Sequence, residues 1–120
     1  TIDMIATDHA PHSFEEKSRG LEKSAFGIVG IETSFQLMYT YLVKNNVITL
    51  EKLIELMAIN PRKRFGIEFD GSFSVWSLNE IFKVDPSQFL SMGKATPFEN
   101  EELYGVNLMT VCGDKTVYTK

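Results

Sequence analysis

The residues best suited to chemistry lie close together in the segment IATDHAPHSFEEK, residues 5–17. Asp8, His9 and His12 fall within five residues, and Pro11 lies between the two histidines. A carboxylate here could bind a metal ion or move a proton. The proline keeps the histidines off a common helix face, so the helical pair of zinc-binding histidines four residues apart does not apply.

A short apolar run, IDMIAT at residues 2–7, precedes Asp8 and predicts a buried β-strand. A carboxylate at the C-terminal end of a parallel strand lies where (β/α)8 barrels place their active sites. In an extended conformation, His12 would point from the following loop toward a bound substrate. Alternatively, Asp8 caps a turn and both histidines are solvated, and the spacing alone leaves these two interpretations open.

The next part of the chain predicts a loop and then helices. The charged stretch at 13–24 contains a glycine and predicts a mobile surface loop. Helical spacing of apolar residues predicts a helix within 26–46. A second helix follows Thr49, a suitable N-cap, and closes at the Asn-Pro pair that ends with Pro61. A short helix, PRKRF, then stops at Gly66.

After these helices the pattern changes to strands. Residues 71–85, GSFSVWSLNEIFKVD, alternate as a strand does, and a turn or short helical piece follows Asp85. Residues 105–120 predict two strands joined by a hairpin at Gly113-Asp114. The fold class is therefore α/β, and the element order is that of the last unit of a larger α/β body with a small β layer. A first residue that is not methionine, directly before a buried strand, also suggests a piece of a longer protein.

Composition narrows the classes of function. The chain has 120 residues, 43% of them apolar and 23% charged, as is ordinary for a globular domain. A net charge of −4 provides no basic field for nucleic acid. No apolar run approaches the roughly 20 residues of a membrane span, and no signal peptide is recognisable, so a cytoplasmic protein is expected. Cys112 is the only cysteine and is predicted to be a small buried residue.

Two motifs, IATDHAPH at 5–12 and FGIVGIET at 26–33, resemble the C-terminal third of bacterial dihydroorotases. These are metal-dependent amidohydrolases of the type related to hydantoinases and allantoinases. The stretches LVKNNVITLEKLIELMAINPRKRFGI and DPSQFLSMGKATPFENEELYGV fit the same pattern, so the resemblance covers nearly the whole chain. It implies that residues 1–66 are the C-terminal part of the (β/α)8 catalytic barrel, with its last strand and helices. Residues 67–120 would be a β-rich appendix, part of a small β-sandwich layer.

The resemblance also implies roles for individual residues. Asp8 would end the eighth strand, contact the more buried of two zinc ions, and pass a proton from the metal-bridging hydroxide to the leaving amide nitrogen. His12 would hydrogen-bond the substrate carboxylate, and Phe26 and Gly27 would contact substrate through their backbone. No role follows for His9. The implied reaction is the reversible cyclisation of N-carbamoyl-L-aspartate to L-dihydroorotate and water, a step of pyrimidine biosynthesis.

The other metal ligands of the family are missing from the sequence. A His-x-His pair and two further histidines would be needed besides a carboxylated lysine, but the chain has only His9 and His12. Zinc needs three or four ligands at close range. We therefore expect the isolated chain to be inactive and to need the N-terminal portion of the barrel as its partner, with a homodimer or a transcarbamoylase assembly as further possible partners.

Two alternative functions remain open. The chain could be a non-catalytic dihydroorotase-like scaffold, although a relic has no reason to keep Asp8, His12 and the Phe26-Gly27 pair intact. It could instead be an amidohydrolase that acts on another cyclic amide, such as allantoin or a hydantoin. Two departures from the family pattern are a serine at Ser24, where a proline is expected, and a shortened tail after residue 70.

Overall fold

The computed structural model describes residues 2–120, and Thr1, with which the expected barrel region 1–66 begins, lies outside the described residues. Four short α-helices precede a three-stranded antiparallel sheet. The helices are α1 (Phe14–Lys17), α2 (Ser34–Met38), α3 (Leu50–Ile54) and α4 (Asn60–Phe65). Two π-helical turns, Tyr39–Val43 and Glu55–Ile59, follow α2 and α3. The strands are β1 (Phe73–Lys83), β2 (Glu102–Cys112) and β3 (Lys115–Thr119), with a 3₁₀ turn at Pro86–Gln88.

The apolar run at 2–7 does not form the predicted strand. The Ile5 N–H donates instead to the Leu56 carbonyl at 3.1 Å, which ties the run to the helical half of the chain. The nearest feature to a parallel sheet is an isolated bridge between His9 and Ile28. A β-strand is held by hydrogen bonds to a neighbouring strand, and within residues 2–120 the only such pairing near the run is this bridge at His9.

The charged stretch at 13–24, predicted to be a mobile loop, contains a closed helical turn, α1. The Ser13 hydroxyl accepts a hydrogen bond from the Glu16 N–H at 3.3 Å, and the Glu16 carboxylate accepts one from the Ser13 N–H at 2.9 Å. This reciprocal capping satisfies two backbone donors that a helix start otherwise leaves free. The Ser24 hydroxyl donates to the Lys17 carbonyl at 2.7 Å and closes the stretch on itself.

One helical segment runs from α3 through a π-helical turn into α4. It begins at Thr49, whose hydroxyl accepts a backbone N–H at 3.2 Å, and this confirms the predicted N-cap. The prediction that the helix closes at Asn60-Pro61 is wrong. The Asn60 N–H donates to the Glu55 carbonyl, five residues back, and the helix continues into α4. Pro61 lies in the first turn of α4, as predicted for the short helix, where its missing N–H is tolerated. The segment ends at Gly66 in the left-handed conformation (φ 65°), as predicted.

The predicted strands are confirmed in the sheet. Strand β2 lies between β1 and β3 and pairs antiparallel with both, and the β2–β3 hairpin turns at Gly113-Asp114. Bulges interrupt the register, one of them between Val75 and Trp76. Cys112 is exposed rather than buried, because it is the last residue of β2 and lies where the chain leaves the sheet for the turn.

A single core joins the two halves of the chain. Its buried side chains come from the FGIVG motif, α2, the loop after β1 and the start of β2, namely Val29, Leu37, Val84, Phe89 and Leu103. Each such side chain contributes roughly 1.5–3 kcal/mol when it is fully removed from water. The loop between β1 and β2 is thereby fixed against the segment that carries the FGIVG motif. No helix among residues 2–120 is long and apolar enough to cross a membrane.

Candidate active site

The two motifs singled out in the sequence lie side by side. The Ala10 N–H donates to the Ile28 carbonyl at 2.9 Å, next to the bridge between His9 and Ile28. The imidazole of His9 accepts hydrogen bonds at Nδ1 from the N–H groups of Gly30 (3.1 Å) and Ile31 (3.4 Å). His9 therefore fastens one motif to the other, a role that the sequence did not indicate.

Asp8 is exposed and has a left-handed backbone conformation, with φ at 47°. Aspartate tolerates this conformation better than most residues, and such uncommon dihedrals often occur at functional sites. Within the described residues, the Asp8 carboxylate has no hydrogen bond or ion pair to another side chain. It is therefore free to accept a proton or to serve as one oxygen ligand of a metal ion.

His12 faces a carboxylate that remains ionised. Its Nδ1 lies 3.6 Å from Oε2 of Glu16, and the two side chains are 34% and 45% exposed. A hydrogen bond from the Ser13 N–H lowers the pKa of Glu16, with further contributions from the Ser13 hydroxyl and from the nearby His12 and Arg19. Because Glu16 attracts Nδ1, the other ring nitrogen, Nε2, is left for a ligand.

The Phe26-Gly27 turn lies directly on Ala10, one of the two residues between the histidines. Gly27 has a φ of 124°, and a Cβ added there would lie 2.3 Å from the Ala10 Cβ, so only glycine fits. Phe26 is 91% exposed. The Lys17 ammonium donates to the carbonyls of Ala25 and Gly27, both at 2.9 Å. The turn is thus held by contact on one side and by hydrogen bonds on the other.

The loop between β1 and β2 supports the site from the opposite half of the chain. Gly93 is buried, and a Cβ added there would lie 2.3 Å from the His12 carbonyl oxygen and 2.6 Å from that of Pro11. In the same loop, the Ala95 carbonyl accepts a hydrogen bond from the Val29 N–H at 2.9 Å. The loop therefore lies against the backbone of both motifs.

A single carboxylate anchors this loop. Glu32 accepts the N–H groups of Leu90 and Ser91, each at 2.8 Å, and also the Ser91 hydroxyl. Burial alone would raise the pKa of Glu32, but the hydrogen bonds from Ser91 and Leu90 and the charge of Lys94 outweigh it and lower the pKa. Glu32 is therefore ionised at neutral pH and fixes the loop to the end of the FGIVGIE segment.

The predicted site residues lie on two adjoining segments. Asp8 and His12 belong to one, and Phe26 and Gly27 to the other; their individual roles stay predictions. Sequence reasoning missed four residues that hold these segments in place: His9, Lys17, Glu32 and Gly93. An ionisable side chain beside a motif is only a weak indication that it holds the motif in place. Its partners here are mostly backbone groups, which every residue has, so the sequence does not show which ones it will bind.

The chain does not by itself provide a complete metal site. In the part of the chain that the structure describes, no group of three or more histidine, cysteine, aspartate and glutamate side chains could hold a metal ion. Asp8 fits the role of one oxygen ligand, whereas the Nδ1 of His9 is engaged by the backbone of Gly30. Zinc normally takes three or four protein ligands.

Comparison with curated proteins finds similarity to dihydroorotases along the whole chain. The dihydroorotase of Bacillus cytotoxicus is 46% identical over 127 aligned residues, which cover 100% of this chain and 30% of that protein. The dihydroorotase of Bacillus cereus (strain B4264) has the same identity and coverage. No protein-family model matches the chain.

Solved structures agree in fold. The L-hydantoinase (dihydropyrimidinase) of Arthrobacter aurescens matches with a TM-score of 0.89 and 31% identity, over 98% of this chain and 29% of that one. The dihydropyrimidinase of Brevibacillus agri NCHU1002 matches with a TM-score of 0.89 at 16% identity, over 98% and 28%, a likeness of fold alone. The chain spans about 30% of the length of the curated relatives it matches. The whole of this chain therefore matches one segment of dihydroorotases, and its fold is that of the corresponding part of a hydantoinase.

Proposed function

We propose that this chain is the C-terminal part of a dihydroorotase that interconverts N-carbamoyl-L-aspartate and L-dihydroorotate. The observation that carries the proposal is the pairing of the DHAPH and FGIVG segments at Ala10 and Ile28, in a chain 46% identical to dihydroorotases throughout. Residues 1–66 then belong to the (β/α)8 barrel, with Asp8 at the end of its eighth strand. Residues 67–120 belong to the β-sandwich layer.

Asp8 is the proposed proton carrier. In the ring-opening direction, water adds to the ring carbonyl carbon, and the bond from that carbon to the amide nitrogen breaks. Asp8 takes the proton from the attacking water and delivers it to the leaving nitrogen; in cyclisation the same steps run backward. Its exposed carboxylate, with no side-chain partner in the described part of the chain, suits this double role.

His12 and the Phe26-Gly27 turn are the proposed substrate contacts. The Glu16 carboxylate faces Nδ1 of His12, so Nε2 is the ring nitrogen open to substrate. With a proton on both ring nitrogens, Nε2 donates a hydrogen bond to the substrate carboxylate. Gly27 lacks a side chain, so substrate can approach the backbone closely. Both contacts orient the substrate relative to Asp8, which lies four residues before His12.

A binuclear zinc centre in the complete enzyme is also part of the proposal. Asp8 would supply one oxygen ligand, and the remaining ligands would come from portions of the enzyme outside these 120 residues. Zinc would act as a Lewis acid toward the ring carbonyl. A homodimer, a transcarbamoylase assembly and a cytoplasmic location remain predictions for the whole protein.

The test is a substrate panel on the full-length protein that contains this chain, loaded with zinc. We expect a kcat/KM for L-dihydroorotate at least about a hundredfold above those for hydantoin and allantoin. A hydantoin preference would favour the alternative that the L-hydantoinase likeness suggests. No turnover of any cyclic amide by a metal-loaded protein would favour the non-catalytic scaffold.

A further inference from the structure

We propose that Lys17 is a positioning residue that holds the Phe26-Gly27 backbone in its substrate-binding orientation. The inference rests on the function proposed above for that turn. Lys17 is the last residue of α1, and its ammonium donates to the carbonyls on either side of Phe26, those of Ala25 and Gly27, at 2.9 Å each. Hydrogen bonds from a charged donor are about twice as strong as neutral ones.

The direction of these hydrogen bonds determines the direction in which the Phe26 N–H points. The described chain contains no cis peptide bond, so the N–H of Phe26 points opposite to the carbonyl of Ala25. Since that carbonyl points toward Lys17, the Phe26 N–H points away from it. No hydrogen-bond partner for this N–H is found among residues 2–120. The donor is therefore available to an oxygen atom of a bound ligand.

The ammonium also strengthens that donor. A positive charge at the carbonyl end of a peptide group polarises it, which makes the N–H at the other end a better hydrogen-bond donor. The ligand atom that gains most is a carboxylate or imide oxygen, because each carries negative charge or a strong carbonyl dipole. Lys17 thereby favours binding of an anionic or imide-bearing substrate without touching it.

Lys17 is itself held in place by the stretch at 13–24. The capping of α1 by Ser13 fixes the start of the helix, and the Ser24 hydroxyl binds the Lys17 carbonyl at 2.7 Å. The Ala25 N–H donates to the Glu16 carbonyl at 3.1 Å, so the end of the stretch returns to α1. No carboxylate of the described chain lies within ion-pair distance of Lys17, so no acidic side chain draws its ammonium away from the turn.

The experiment compares three variants of the full-length, zinc-loaded protein. Lys17→Met removes the donor and keeps the bulk, Lys17→Arg keeps a charged donor, and Lys23→Met is the matched control, since Lys23 is an exposed lysine of the same stretch. We expect Lys17→Met to raise the KM for N-carbamoyl-L-aspartate about tenfold to hundredfold with kcat within about threefold. Lys17→Arg should recover most of the loss, and Lys23→Met should match the parent.

A second readout does not depend on turnover. Hydrogen–deuterium exchange of the ligand-free protein should show faster exchange at the Ala10 and Ala25 amides in Lys17→Met. The Ala10 N–H bonds to Ile28, the residue after the turn, and Ala25 is the residue before the turn, bonded to Glu16. A protein that turns over no cyclic amide but shows this faster exchange would refute the proposed function. It would still support the role of Lys17 in holding the Phe26-Gly27 backbone. An unchanged KM in an active Lys17→Met enzyme, a Lys17→Arg variant no better than Lys17→Met, or unchanged exchange would overturn the inference.

Discussion

Replacement of Gly93 by alanine should disturb the candidate site from the far end of the chain. The added Cβ would lie 2.3 Å from the His12 carbonyl oxygen, whereas contacts of real Cβ atoms essentially never fall below 3.0 Å. Either the loop or the His12 backbone must therefore move by about 0.7 Å or more. Its closest neighbours are all backbone atoms of Pro11 and His12, so no flexible side chain can rotate away. Proline also restricts the backbone adjustment, because its ring fixes φ.

The expected cost has two parts. Overpacking of this kind costs about 1–3 kcal/mol of stability, which corresponds to a melting temperature roughly 1–4 °C lower for a protein of the relatives' length. A misplacement approaching 1 Å can cost up to about a hundredfold in catalysis, so we expect kcat/KM for dihydroorotate to fall at least about tenfold.

Calorimetry and steady-state kinetics on the full-length protein measure both parts. Gly20→Ala is the control: it introduces a side chain at a positive φ of 83°, but no atom lies within 4 Å of the new Cβ. It should cost about 1 kcal/mol in backbone strain and leave the kinetics unchanged. If Gly93→Ala kept both the parental melting temperature and the parental kcat/KM, the buttressing of His12 by this loop would be refuted.

Three further predictions address the remaining groups of the site. His12→Ala should raise the KM for N-carbamoyl-L-aspartate at least about tenfold while the zinc content stays unchanged; loss of zinc would mean that its role is wrong. Glu32 has a lowered pKa in the folded protein, so its stabilisation is present above its ordinary value of 4.5 and is lost as pH falls through the folded-state pKa. Glu32→Gln should therefore lower the melting temperature at pH 7 and make its decline below about pH 4.5 shallower, and an identical pH profile would contradict this. Elemental analysis of the purified 120-residue chain should find less than about 0.1 zinc per chain, whereas about two would show that the ligand assignment is wrong.

Features set by a few neighbouring residues could be predicted from the sequence. Thr49 caps its helix through its own hydroxyl, Gly66 ends α4 because glycine adopts the left-handed conformation, and Gly113-Asp114 turns the hairpin. In each case the residue type and its immediate neighbours determine the local backbone. The prediction of a helix end at Pro61 is wrong because a π-helical turn leads from α3 directly into α4, which has Pro61 in its first turn.

Features that depend on distant segments could not be predicted from residue patterns. The apolar run before Asp8 has strand-forming residues, but the part of the chain that the structure describes offers it only the bridge at His9. Glu32 binds Leu90 and Ser91 across nearly 60 residues, and Gly93 meets His12 from even farther along the chain. These partners are backbone groups, which every residue possesses, so composition and periodicity carry no information about them.

The candidate site itself was found by motif resemblance rather than by physical pattern. The spacing of Asp8 and His12 alone leaves the interpretation as a solvated turn open. The structure adds two observations: the Phe26-Gly27 turn packs directly on Ala10, and Lys17 donates hydrogen bonds to the carbonyls on either side of Phe26.

The most direct test of the account is the rate of ring closure of N-carbamoyl-L-aspartate by the full-length, zinc-loaded protein and by its Asp8→Asn variant. The variant keeps the size of the side chain and removes its ability to carry the proton. We predict measurable conversion to L-dihydroorotate by the parent and a loss of at least about a thousandfold in the variant. Activity of Asp8→Asn within about tenfold of the parent would contradict the role of Asp8 as proton carrier, and absence of conversion by the parent would contradict the assignment of this chain to an active dihydroorotase.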